Sequence, residues 1–441
     1  MLAHTFRRSY LAPRVVAALL LSFGLAAQAP AATTEELEAR LTALAAQVQA
    51  LQGELATLKA QNSAGVGTTG STAAAATTAA APASVPAMAA IPSEARLDWF
   101  GYGELNYSRP ESSGDASADV GRFVLGTSYR FDDRTRIVSE LEVEHAVSSA
   151  DDAGEVEIEQ AYVERQLGNS TFAKFGLFLI PSGMLNESHE PTHYYGVFRN
   201  TVETAIIPST WRELGVSVQG TTAGGLRWDA GLTTGNNLSG WDPTSAEGIE
   251  SPLGAIHQEG QLANAHDLSG FVAVNYTGMP GLRVGGSLVM GDIGQGQAGF
   301  ESNQLSLWET HARWMPGAWD LSALYAHGHI SNTAASNQAF IGNPVLIPED
   351  FYGWYAQAAY VAALPNEWQL APFARFERVN TASSYAFLGA GITPDALRAE
   401  EVSTVGFNLG VAPGVVFKID YQSFDRDSSN SRFDLGLGYA F

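Results

Sequence analysis

The chain has 441 residues, 45% of them hydrophobic, which is enough for one large domain or several small ones. Its formal net charge of −22 repels phosphate backbones and excludes nucleic acid as a partner. The absence of cysteine excludes disulfide scaffolds and thiolate metal sites, and it suits an exported protein.

Arg7, Arg8 and Arg14 precede an apolar run, Val15 to Ala27, and small residues follow around Ala29-Pro30-Ala31. This is the three-part pattern of a secretory signal peptide, expected over 1–31. The run is shorter than the roughly 20 residues a membrane-spanning helix needs, and no later stretch is longer and as apolar. A membrane location therefore requires a closed barrel, the other backbone-satisfied way across a bilayer.

Leu37, Leu41, Leu44, Val48, Leu51, Leu55 and Leu58 then alternate steps of four and three. That spacing makes a heptad seam, so residues 32–61 are expected to form a short α-helical coiled coil that holds copies of the chain together. Thr33 and Glu36 form a capping box at its start. Residues 62–95, rich in Ala, Thr, Ser and Pro, cannot bury a core and read as a flexible linker.

From Arg96 onward the dominant period is two. Sixteen segments stand out: 97–108, 119–131, 134–147, 155–166, 170–180, 213–221, 225–234, 267–277, 282–291, 304–315, 318–329, 351–362, 367–379, 401–411, 415–424 and 431–441. One face of each is aromatic and aliphatic, as in Phe123, Leu125, Thr127, Tyr129 and Phe131, and carries a single formal charge, Glu164. The opposite face carries Arg122, Arg130, Arg136, Glu140, Glu142, Glu157, Lys174, Arg227, Arg375 and Lys418, read as the wall of a water-filled lumen. Lipid outside and water inside give an all-β membrane protein, a 16-stranded antiparallel transmembrane barrel over 96–441.

Connections alternate between short turns such as Pro316-Gly317 and Pro413-Gly414 and long loops such as Asn236–His266. Short periplasmic and long outer connections place both termini in the periplasm. Tyr129, Phe131, Trp228, Tyr276, Trp314, Trp319, Tyr360 and Trp368 fall beside the short turns, where an interfacial girdle belongs.

The third long connection, 181–211, has neither helical nor strand period, and a structureless stretch of that length is usually functional. It reads as a loop folded into the lumen that narrows a pore with His189, Glu190, His193, Tyr194, Tyr195, Arg199 and Glu203. His189-Glu190-Pro191-Thr192-His193 matches a zinc-protease pattern, but that pattern needs a helix and Pro191 interrupts it. The motif reads instead as polar loop, or as a pore-lining pair of histidines that titrates near neutral pH. Arg199 and Arg212 either meet solute or hold the loop to wall carboxylates such as Glu140, Glu142 and Glu157. No catalytic constellation, metal site or cofactor motif accompanies them.

Gly176–Gly183 (GLFLIPSG), Ile207–Gly215 (IPSTWRELG), Pro372–Glu377 (PFARFE), Val415–Tyr421 and the terminal Phe441 resemble Gram-negative porins, more narrowly the phosphate-selective porins O and P family and trimeric porins with an N-terminal coiled coil, such as dicarboxylate channels. The resemblance spans roughly 96–441. It implies a trimeric barrel in an outer membrane whose third loop constricts the lumen, and a terminal aromatic read by the barrel-assembly machinery. Phosphate-selective members line the pore with arginine and lysine, whereas this barrel has two lysines, Lys174 and Lys418. The expected function is passive diffusion of small hydrophilic, charged solutes, with a lipid-facing outer wall. The alternatives are an outer-membrane anchor whose coiled coil binds cell wall or a partner, and a barrel lipid hydrolase, for which no outward Ser–His pair stands out.

Overall fold

A computed structural model describes residues 96–149 and 152–441. The expected signal peptide, coiled coil and linker lie outside the described residues.

Within them, period-two segments rich in aromatic and β-branched residues form sixteen wall strands. These are β1 (Leu97–Pro110), β2 (Ser117–Asp132), β3 (Thr135–Glu144), β4 (Val156–Gly168), β5 (Thr171–Leu179), β6 (Arg212–Thr221), β7 (Leu226–Thr233) and β8 (Ser269–Tyr276). The series continues with β9 (Leu282–Asp292), β10 (Gln304–Trp314), β11 (Trp319–Ile330) and β12 (Asp350–Tyr360, extended by Ala362–Ala363). It ends with β13 (Gln369–Ser384), β14 (Glu400–Ala412), β15 (Val415–Phe424) and β16 (Arg432–Ala440).

Each strand pairs antiparallel with its neighbours in sequence, and β1 also pairs with β16, so the sheet closes into a barrel without an edge. The closing seam runs from Tyr102 opposite Ala440 to Pro110 opposite Arg432. Gly101 and Phe441 extend it by exchanging two backbone hydrogen bonds of 3.1 and 2.9 Å.

One end of the barrel has turns as short as 133–134 and 413–414, and both the first and last strands have their free ends there. The other end carries the long connections, including 180–211, 234–268 and 331–349. Outward side chains are mostly apolar and exposed, with the pair Arg378–Glu401 at 2.8 Å as a charged exception near the long-loop end. Near the short turns they form aromatic contacts, with Tyr129 edge-on to Phe131 and Trp319 edge-on to Tyr360, both at 5.2 Å. Exposed apolar surface wrapping a whole barrel suits lipid and not water.

Two features depart from simple alternation. Between β3 and β4 the register slips from Glu140 opposite Gln160 to Leu141 opposite Ile158, leaving Glu159 as the extra residue of a bulge. The slip inverts the phase of the rest of β4. Glu164, expected on the outer face, therefore faces inward, is buried, and pairs with Arg136 at 2.7 Å.

The lumen is also not polar throughout. At the long-loop ends of β8 to β13 the inner wall is apolar, with Phe271, Leu305, Leu307, Ile330 and Phe351 buried. They form one hydrophobic core with Ile206 and Trp211 of the third long connection, Leu238 and Leu253 of the fourth, and Ile347 farther along. Several loops fold into the mouth and need an apolar surface to pack on.

Candidate functional site

The third long connection, 180–211, lies inside the barrel and is bonded to the inner wall on several sides. Glu203 organises it. Its carboxylate accepts the backbone N–H groups of Met184 and Leu185, both at 2.7 Å, and the Tyr355 hydroxyl of β12 at 2.8 Å. It also accepts the Asn200 side-chain amide at 3.2 Å. One buried carboxylate thus ties both limbs of the loop to each other and to the wall. Burial raises its pKa despite these donors. A π-helical turn, Val202–Ile206, carries the following apolar residues into the core described above.

The wall makes room for the loop by omitting side chains. A Cβ on Gly438 of β16 would sit 2.7 Å from Pro191 Cβ, and one on Gly353 of β12 would sit 3.0 Å from Ile206. Main-chain donors of the loop meet wall acceptors: Gly196 N–H to Asn408, Val197 N–H to Asp420 and Thr201 N–H to Glu377. Tyr194 donates to Glu104 at 2.7 Å, and its ring lies 3.5 Å from the buried Lys418 Nζ. Tyr195 donates to Asp320 at 3.0 Å and stacks on Phe373.

The two histidines of the HEPTH motif have different surroundings, and the motif is not helical. His189 is buried. Its Nδ1 lies 2.8 Å from the Asn186 carbonyl, and its Nε2 lies 2.7 Å from Glu159 and 2.6 Å from the Tyr102 hydroxyl, which donates to Glu159. With a carbonyl facing one nitrogen and a carboxylate the other, the doubly protonated ring satisfies both. Burial opposes that charge, but Glu159 outweighs burial and raises the His189 pKa. His193 is half-exposed, with Nδ1 2.7 Å from Glu190 and 2.9 Å from Ser188 Oγ. The hydrogen bond to Glu190 raises its pKa above the ordinary imidazole range.

The inward charges are distributed unevenly. Arg122, Glu140, Glu142, Arg375 and Lys418 are buried, with loop residues packed over Arg122, Arg375 and Lys418. Arg122 binds Glu104 at 2.9 Å and Arg375 binds Glu377 at 2.7 Å. Arg212, the first residue of β6, binds Glu157 of β4 and Glu259 from the fourth long connection, so it ties that fourth connection to the wall. Arg199 bonds Ser209 and Thr210 within the loop itself. Arg136 and Arg227 remain half-exposed in cavities toward the short-turn end, paired with Glu164 and Glu187, and Lys174 lies 3.9 Å from Glu187. Arg130 pairs with Asp98 at the surface.

A cavity of about 60 Å³ separates the loop from the wall of β9 to β13, lined by Ser188, His193, Tyr195, Arg283, Arg313 and Arg375. A second, of about 550 Å³, continues from His193 and Arg313 to the turn residues Pro413 and Gly414. Arg283 of β9 and Arg313 of β10 stand on the inner face, and tertiary packing brings them into a shared cavity with the loop.

No family model matches the chain. A protein of Aquifex aeolicus (strain VF5) described as uncharacterized is 27% identical over 336 residues, 73% of this chain and 74% of that one. Among solved structures, Salmonella typhi OmpF in complex with daunomycin superposes with a TM-score of 0.51 at 12% identity, over 78% of this chain and 97% of that one. The fold is that of an outer-membrane porin. The anion-selective porin from Comamonas acidovorans (TM-score 0.48, 13% identity, 78% and 99% covered) is similar to this barrel too. So is the outer membrane channel DcaP of Acinetobacter baumannii (TM-score 0.48, 14% identity, 80% and 100% covered). These likenesses do not single out the phosphate-selective porins.

Proposed function

We propose that this porin is a passive diffusion channel for small hydrophilic solutes in a Gram-negative outer membrane, narrowed by the loop 180–211. The observation that carries the reading is that loop's place inside a closed barrel, beside a polar cavity lined by Arg283, Arg313, Arg375 and His193. A rigid loop between fixed charges filters by size and by charge. The short-turn end then faces the periplasm with both termini, the seam Leu37–Leu58 joins three copies, and Phe441 addresses the barrel-assembly machinery.

The apolar core in the long-loop mouth supports a second reading, a closed barrel that anchors a periplasmic coiled coil. Single-channel recording in planar bilayers separates the two. Conductance steps in multiples of three establish a trimeric channel. Folded protein that inserts without steps leaves the anchor.

A further inference from the structure

Four lining residues are shared by the two neighbouring cavities: His193, Tyr194, Tyr195 and Arg313. Of these, the imidazole of His193 is the group that changes charge near neutral pH. Its surroundings determine what that change does. On its own loop it faces Glu190, Ser188 and the buried His189, which is occupied by Glu159 and Asn186. From the wall it meets Arg313 of β10, with Asp320 of β11 beyond, Arg283 of β9 and Arg375 of β13, and Glu367 lies in the turn before β13.

Most of these charges are already matched. Arg313 is held by Asp320 at 2.6 Å and Arg375 by Glu377 at 2.7 Å. The nearby Glu187 is taken by Arg227 and Lys174. Arg283 bonds the neutral amide oxygen of Asn275 at 2.8 Å. Behind the lining lies the Glu203 carboxylate, whose donors are all neutral and which faces Arg283. The part of the cavity's charge that varies near neutral pH therefore rests on the His193–Glu190 pair. With His193 protonated the pair is neutral, and with His193 neutral it adds one negative charge beside Arg283.

We propose that His193 sets the charge preference of the passage as a function of pH, favouring anions when protonated and losing that preference when neutral. This rests on the channel reading. Its hydrogen bond to Glu190 raises the His193 pKa, so the change is expected at or above neutral pH.

The test is the reversal potential of the full-length channel in a KCl gradient, read from about pH 5 to about pH 9. One unit charge within several ångströms of a permeating ion, screened by salt, corresponds to roughly a threefold fall in the anion-to-cation permeability ratio. The unaltered chain is expected to show that fall. His193→Gln is expected to remove it, and Glu190→Gln to move its midpoint to lower pH. A fall that survives His193→Gln, or a midpoint unmoved by Glu190→Gln, overturns the proposal. If His193→Gln does not insert, the Glu190→Gln midpoint decides alone. Steps with a pH-independent reversal potential overturn this proposal and leave the channel reading standing, whereas folded protein without steps removes both.

Discussion

His189 joins the loop to a wall carboxylate, Glu159, that is fully buried. Removing one partner of such a pair leaves a charge in a dry site, and the cost is about 3–5 kcal/mol. His189→Gln is therefore expected to lower the urea midpoint of the detergent-solubilised barrel markedly. The pH dependence follows from the direction of the shift. A raised histidine contributes its full stabilisation below the unfolded imidazole value and loses it as pH rises through the folded one. The unaltered protein should weaken between neutral and alkaline pH, and the variant should not. Glu203 gives a second case. Its loss leaves two backbone amides and the Tyr355 hydroxyl without their acceptor, at about 1–3 kcal/mol for each buried group. Glu203→Ala is expected to make the loop 180–211 cleavable by protease while the wall strands remain protected. The sequence marked both residues as loop chemistry. It could not show that they face inward to partners, because Glu159, Tyr102 and Tyr355 lie 30 to 152 positions away.

The strands were legible because a strand with lipid on one side and loop or water on the other repeats every two residues, as in Leu226, Trp228, Ala230 and Leu232 of β7. The bulge in β4 was not. One inserted residue moves the acidic phase of β4 from odd positions, Glu157 and Glu159, to an even one, Glu164, so apolar and acidic residues fall at both phases along the strand, and only pairing with β3 reveals the slip. The apolar lumen core was hidden for a related reason. Inward Leu305, Leu307 and Phe351 occur where outward residues are apolar too, so the contrast between faces fades at the long-loop ends. The seat of the loop was hidden as well, since a glycine in a strand does not announce what approaches it. Gly438→Val tests that seat. The added side chain collides with Pro191, and overpacking of this kind costs about 1–3 kcal/mol. The expected result is a folded barrel whose loop stands off β16, read as larger single-channel steps than in the unaltered chain.

Across the whole molecule the nine tryptophans fall into two groups. Trp99, Trp228, Trp308, Trp314, Trp319, Trp354 and Trp368 stand on or beside the outer face, whereas Trp211 and Trp241 are buried with the loops. In vesicles containing brominated lipid, most of the emission should be quenched, and the remainder should come from Trp211 and Trp241. Replacing those two with phenylalanine is expected to abolish the unquenched fraction. The loop also touches both chain ends of the barrel at once. Its Tyr194 and His189 bond Glu104 and Tyr102 on β1, while Pro191 rests on Gly438 of β16. The first and last strands meet at the one joint that local chain order does not supply. A clasp fastened across that joint from within forms only after the final strand has arrived, and it must be undone before the joint can part. The loop is thus a fastening across the closing seam as well as an occupant of the lumen.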